Sequence, residues 1–194
     1  MIHRRLSHRT SRRISALMRH IVTLLMLVVA MPAVAQAPPK PATQAKPAVA
    51  AGPKELGKFD DWIAATHEEA GQNTCYAFVR AKNSVPVLPG RGEVVLTVTE
   101  RPTGRDWVAI SAGFTFPKDA AVTVQVDTTG LDFYTAQSSA FAKDGKAVVA
   151  AFRRGEEALA RSPGPRDGQT IVDTFSLRGF KAAYAEINKA CPPK

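Results

Sequence analysis

The sequence predicts a mainly β domain: a sandwich of short strands carrying two short helices. Three observations predict it. Between residues 74 and 126 apolar side chains recur at every second position, the period of a strand with one buried face. Clusters of Pro, Gly, Asn and Asp interrupt those runs at short intervals, as turns do between the strands of a sandwich. Helical spacing appears only twice, after Asp144 and after Gly179. Six to eight strands are expected, layered around one core.

The chain begins with a segment outside that domain. Residues 1–35 hold six arginines and no acid, followed by the apolar run Ile21–Met31 and then Ala33-Val34-Ala35. A basic stretch, a short apolar stretch and a small-x-small site make a secretory signal. The apolar run is shorter than the roughly 20 residues that span a bilayer, so no stable membrane span is expected after cleavage. Arg12-Arg13 leaves the twin-arginine route open beside the general one, and Met18 would start a complete short signal of its own. Without residues 1–35 the formal charge falls from +9 to 20 basic against 17 acidic residues, a surplus of +3. That is no concentrated basic face, and nucleic acid is excluded as a partner. Residues 36–58, rich in Ala, Pro and Lys, predict a disordered spacer. One domain follows over residues 59–194, a common single-domain size.

Along that domain, Asp61–His67 predicts a first strand with Trp62 inward, and Thr74–Ala81 a second with Cys75, Ala77 and Val79 on one face. The Pro86–Gly92 stretch turns the chain. Glu93–Arg101 and Asp106–Phe116 predict a hairpin closed by Pro102–Arg105. Ala121–Asp127 carries Val122, Val124 and Val126 on one side, and Leu131–Tyr134 and Ser138–Ala142 add short strands. The first helix runs from an N-cap at Asp144 through Ala147, Val148, Ala151 and Phe152, and stops at Gly155. Glu157–Arg161 and Thr170–Leu177 pair across the Pro163–Gly168 turn. The second helix, Gly179–Ala190, has Phe180, Ala183, Tyr184 and Ile187 on one stripe, with Ser176 as its N-cap candidate.

Cysteine and histidine counts bound the chemistry. The chain has only Cys75 and Cys191, and export places both in an oxidising space, where they most simply form one disulfide. Their spacing is not Cys-x-x-Cys, which disfavours a redox-active pair. Past the signal His67 is the one histidine, which excludes most nitrogen-rich metal sites. His67-Glu68-Glu69 lacks the second histidine of a zinc protease because position 71 is Gly, and reads as a solvated turn. No Gly-x-Ser-x-Gly elbow is present. No cofactor motif is found, and the chain is not expected to be an enzyme.

Four segments occur in a recognisable order: Trp62 in the opening strand; Val122–Asp127; Arg153-Arg154-Gly155; and Asp173-Thr174-Phe175-Ser176-Leu177 with Gly179, Phe180 and Ala183. In these the chain resembles the invasion-associated locus B family of exported bacterial proteins, over Phe59–Cys191. The resemblance implies an immunoglobulin-like β-sandwich in the periplasm or at the cell surface. It also implies a role in the envelope or in host association, with no established enzymatic activity and so no catalytic residues to carry over. Many members have an extra pair of cysteines in the N-terminal half, whereas this chain has Cys75 alone there.

The candidate functional surface is the set Arg153, Arg154, Arg161, Arg166 and Arg178, several of which fall near turns where they can converge. The leading expectation is an exported, non-catalytic interaction protein that meets an envelope or host protein. The alternative is a periplasmic binder of small molecules or anions using the arginines. A hydrolase built on His67 ranks below both.

Overall fold

The computed structural model describes residues 52–193. The secretory signal lies outside the described residues, as do residues 36–51 of the spacer. Residues 54–58 do not belong to a spacer. They form strand β1 (Lys54–Phe59), which pairs antiparallel with β2 (Trp62–Glu69). Its sequence KELGKF has no alternation because it is an edge strand with little to bury.

The chain continues through β3 (Gln72–Arg80), β4 (Asn83–Val85), β5 (Val95–Arg101), β6 (Gly104–Ser111), β7 (Ala121–Val126), β8 (Thr129–Ala136) and β9 (Ser139–Ala142). Helix α1 (Gly145–Phe152) leads to β10 (Glu157–Pro163) and β11 (Thr170–Ser176), and helix α2 (Phe180–Ala190) ends the domain. Among the described residues the fold is thus mainly β with two short helices, as the alternation predicts, but with eleven strands rather than six to eight. Ala70 and Gly71 both take left-handed backbone between β2 and β3, the conformation of a two-residue hairpin loop whose twist matches its strands.

All eleven strands join in one antiparallel ladder, in the order β1-β2-β3-β5-β6-β9-β8-β7-β10-β11-β4. A flat ladder of this size would leave β2 and β11 far apart. Instead the indole Nε1 of Trp62 on β2 donates to the Ser176 carbonyl on β11 at 2.9 Å. Lys82, just past β3, likewise donates its backbone N–H to the Thr174 carbonyl at 2.8 Å. The ladder therefore folds over on itself, and both halves turn one face inward.

That inward face is the alternating set read from the sequence. Cys75, Ala77, Val79, Leu96, Val98, Val122, Val124 and Val126 all lie in one buried cluster. The helices close it. Phe180 of α2 packs on Trp62 with ring centroids 4.9 Å apart, and Phe152 of α1 meets Phe180 edge-on at 5.5 Å. Among the described residues no helix is long and apolar enough to cross a membrane.

Two local expectations need correction. Asp144 caps α1 as predicted, accepting from the Ala147 N–H, but Ser176 does not cap α2. The α2 N-cap is Gly179 in left-handed backbone (φ 86°), where a Cβ would strike the Phe59 carbonyl oxygen, and Ser176 Oγ accepts from the Arg178 N–H instead. His67 is not in a turn. It sits half-buried on β2, its ring edge-on to Tyr76 at 5.6 Å.

Candidate functional site: a basic cleft where two helix ends meet

Helix α1 stops because its last backbone bonds converge. The N–H groups of Arg154 and Gly155 both donate to the Ala151 carbonyl, and Gly155 is pressed so closely on Val126 and Leu177 that it has no room for a Cβ. This turns Arg153 and Arg154 outward. The Gly179 contact against β1 aims the start of α2 at the same place. Between the two helix ends lies an open cleft of about 240 Å³, whose lining includes Arg153, Arg154, Arg178 and Lys181, with Asp60 and Glu156 as its acids. All six of these side chains belong to exposed residues.

Arg178 reaches Asp60 only at 3.9 Å with both side chains more than half exposed, a pair that contributes little and leaves the guanidinium available. The N-terminal end of α2 adds its partial positive charge to the cleft, and no side chain caps it. Arg153, Arg154 and Arg178 are thus brought together, with Lys181, which the sequence reading did not single out. Arg161 and Arg166 are not part of this cleft. Arg161 projects from β10, and Arg166 lies in the β10–β11 turn beside a shallow pocket shared with Arg91 and Phe114.

The opposite end of α2 is held covalently. Cys75 of β3 is disulfide-bonded to Cys191, just past α2, with Cα atoms 5.9 Å apart and a sequence separation of 116. In register beside Cys75 on β5 stands Glu100, a fully buried carboxylate. Arg105 Nε lies 2.7 Å from its Oε2, and the Asp106 N–H points at both of its oxygens. Burial nonetheless dominates and pushes the Glu100 carboxyl up to about 7, with Arg105 pulling against it.

The cluster extends to α2. Tyr184 donates its hydroxyl to Asp106 Oδ1 at 2.6 Å, and burial, then that carboxylate, raise the phenol well above its ordinary value. Arg105 donates to the Cys191 carbonyl at 2.6 Å and to the Asn188 side-chain oxygen. A second buried pair fixes β11. Asp173 accepts two parallel bonds from Arg91 at 2.7 and 2.8 Å and a third from Ser84 Oγ at 2.7 Å. Glu100 was not singled out from the sequence and Asp173 only as part of the family block, yet both continue a buried alternation: Leu96, Val98, Glu100 and Ile171, Asp173, Phe175. A carboxylate in phase with core residues was the signal.

Among the described residues no group of three or more His, Cys, Asp or Glu is placed to hold a metal ion. What stands assembled is a disulfide-stapled, mainly β domain that presents a basic cleft. Residues 62–188 match the family described as Invasion associated locus B (IalB) protein, and the chain belongs to that family. A solved structure, "Crystal structure of invasion associated protein b from bartonella henselae", superposes with a TM-score of 0.52 at 16% identity. The match covers 69% of this chain and 96% of that one, and shows a shared fold. None of the curated proteins compared with the chain matches it.

Proposed function

We propose that this IalB-family protein is an exported, non-catalytic interaction protein of the bacterial envelope, and that the basic cleft is its recognition surface. The observation that carries the reading is the convergence of Arg153, Arg154, Arg178 and Lys181 on one cleft with only two acids. An acidic segment of an envelope or host protein is the partner such a surface complements, because opposed charge steers encounter and selects partners. Export is supported by the basic, apolar, small-residue order of residues 1–35 and by the Cys75–Cys191 disulfide, a bond of oxidising compartments.

The test is cross-linking of the tagged protein in intact cells, beside the same chain lacking residues 1–35. A specific partner captured only by the exported form, and lost with Arg153→Glu plus Arg154→Glu, supports the reading. Recovery of un-cross-linked monomer alone sinks it.

The dimensions of the cleft favour a second reading, a small anion in place of a protein segment. Phosphate or a carboxylate would then raise the thermal midpoint, and Arg153→Ala plus Arg154→Ala would remove the gain. A midpoint indifferent to both ligands excludes that reading. A hydrolase has only His67 to build on, and that ring is packed against Tyr76.

A further inference from the structure

The fold gathers charge that the sequence leaves spread. Residues 52–193 carry 17 Lys and Arg and 17 Asp and Glu, a formal charge of zero. Adjoining the basic cleft at the β1–β2 turn is a second open cleft of about 270 Å³, and Asp60 lines both. Together the two linings hold seven of those 17 basic residues but only three of the 17 acidic ones. The joined clefts are thus the positive pole of a domain that is acidic elsewhere.

The second cleft differs from the first in its floor. Ile63 of β2 and Phe78 of β3 are cross-strand partners, both half-buried, and both line it. Its cations are Lys58, in register with Ile63, together with Arg80 and Lys82. The Arg80 guanidinium lies over the Phe78 ring, 5.7 Å from its centroid. Glu93 pairs with Arg80 at 2.7 Å and Glu157 with Lys82 at 3.3 Å. All four of these side chains are more than half exposed, and such pairs contribute little. Where the clefts meet stand two exposed acids, Asp60 and Asp61.

This order selects the ligand. The first cleft asks for anions, the junction for a neutral or cationic group, and the second cleft for an apolar group among cations. A uniformly charged polymer, such as a nucleic acid or a sulfated glycan, brings its own charge against Asp60 and Asp61, and like charges brought together cost binding. An anionic lipid has the head group, but its acyl chain outruns a floor of two side chains. A polypeptide changes its chemistry about every 3.5 Å along an extended chain. We propose that the partner of the basic cleft is an acidic polypeptide segment that also seats an apolar side chain on Ile63 and Phe78, with a neutral or basic residue crossing Asp60 and Asp61. The proposal rests on the reading of the basic cleft as a recognition surface and adds to it a required pattern. Burial of the apolar side chain supplies affinity, and the acid pair rejects partners of the wrong charge order.

Capped, fluorescein-labelled peptides test it: three glutamates joined to one phenylalanine through one to four residues of glycine and lysine, made in both chain directions. Binding to the disulfide-intact protein is read by anisotropy at low ionic strength, where surface charge is least screened. The best peptide should bind saturably, and at least about fivefold tighter than its counterpart with alanine for phenylalanine, the effect of partly burying an aromatic side chain. Phe78→Ala should erase that preference. Ile63→Thr, which keeps a β-branched residue in the strand, should reduce it and serves where Phe78→Ala lowers the thermal midpoint. Arg153→Glu plus Arg154→Glu should weaken both peptides alike. Asp60→Asn plus Asp61→Asn should bring hexaglutamate up to the affinity of the patterned peptide. Equal affinity of the wild type for the phenylalanine and alanine peptides overturns the proposal and leaves the basic cleft standing. So does hexaglutamate bound by the wild type as tightly as the patterned peptide. No saturable binding of any peptide up to about 1 mM overturns the proposal together with the acidic-segment reading of the cleft. Capture by phosphatidylglycerol vesicles in that case assigns the surface to a membrane.

Discussion

Replacing Glu100 by Gln tests the buried cluster beside the disulfide. The Glu100 carboxyl is raised from 4.5 to about 7 in the folded protein, mainly by burial. A carboxyl raised on folding favours the native state while it is protonated. Its contribution is therefore complete below about pH 4.5 and is lost as pH climbs through 7. A shift of this size corresponds to roughly 3 kcal/mol in all, of which roughly 2–3 kcal/mol falls between pH 5 and 8. Gln keeps the shape and one acceptor oxygen for Arg105 and the Asp106 N–H but does not titrate. Urea unfolding of both proteins at several pH values across that window gives the difference directly, with the disulfide intact in each. The wild type should lose stability relative to Glu100→Gln as pH rises, by roughly 2–3 kcal/mol. Charges that titrate identically in both proteins cancel, and Tyr184 ionises far above the window. Parallel profiles, differing by less than about 0.5 kcal/mol in slope across the window, would refute the claim that burial outweighs Arg105.

Removing the staple should act on the unfolded chain. Cys75→Ala with Cys191→Ala frees a loop of 116 residues and should cost up to roughly 4–5 kcal/mol, read as a lower urea midpoint that reductant no longer changes. Asp173→Ala strands the buried guanidinium of Arg91 and should cost roughly 3–5 kcal/mol. The double change Arg91→Met with Asp173→Leu should cost clearly less, a non-additivity that a double-mutant cycle measures. Gly179→Ala imposes left-handed backbone on a residue with a Cβ and drives that Cβ into the Phe59 carbonyl, so at least about 2 kcal/mol should be lost in a melt.

Much of this fold is written as alternation, and what escapes is what alternation does not encode. The strands holding Cys75–Val79, Leu96–Val98 and Val122–Val126 were readable because each buries one face and wets the other. Edge strand β1 buries too little to show a pattern, and three-residue β4 is too short to have a period. The N-cap of α2 was misread because a polar rule pointed to Ser176, whereas a steric fact, the closeness of β1, chose Gly179. The site was legible in part. Arg153, Arg154 and Arg178 are near neighbours of the two helix ends, so local turns bring them together. Arg161 and Arg166 belong to a hairpin whose direction only the sheet order determines.

The block that carried the family resemblance, Asp173–Ala183, has a structural duty at nearly every position. Asp173 receives Arg91, Phe175 is buried in the core, the Ser176 carbonyl receives the Trp62 indole, Gly179 clears β1, and Phe180 packs on Trp62. Trp62, another of the residues that carried the resemblance, is spent on joining the two halves of the ladder. A sequence can keep these buried positions while its exposed chemistry drifts, because none of these side chains reaches solvent. What distinguishes this member's surface must therefore lie outside these buried positions. Arg178 and Lys181 are the basic-cleft residues lying inside the block, held in place by its buried neighbours without sharing their burial. A comparison of binding among proteins of this fold should accordingly track positions 153, 154, 178 and 181, and should be indifferent to the buried positions of the Asp173–Ala183 block.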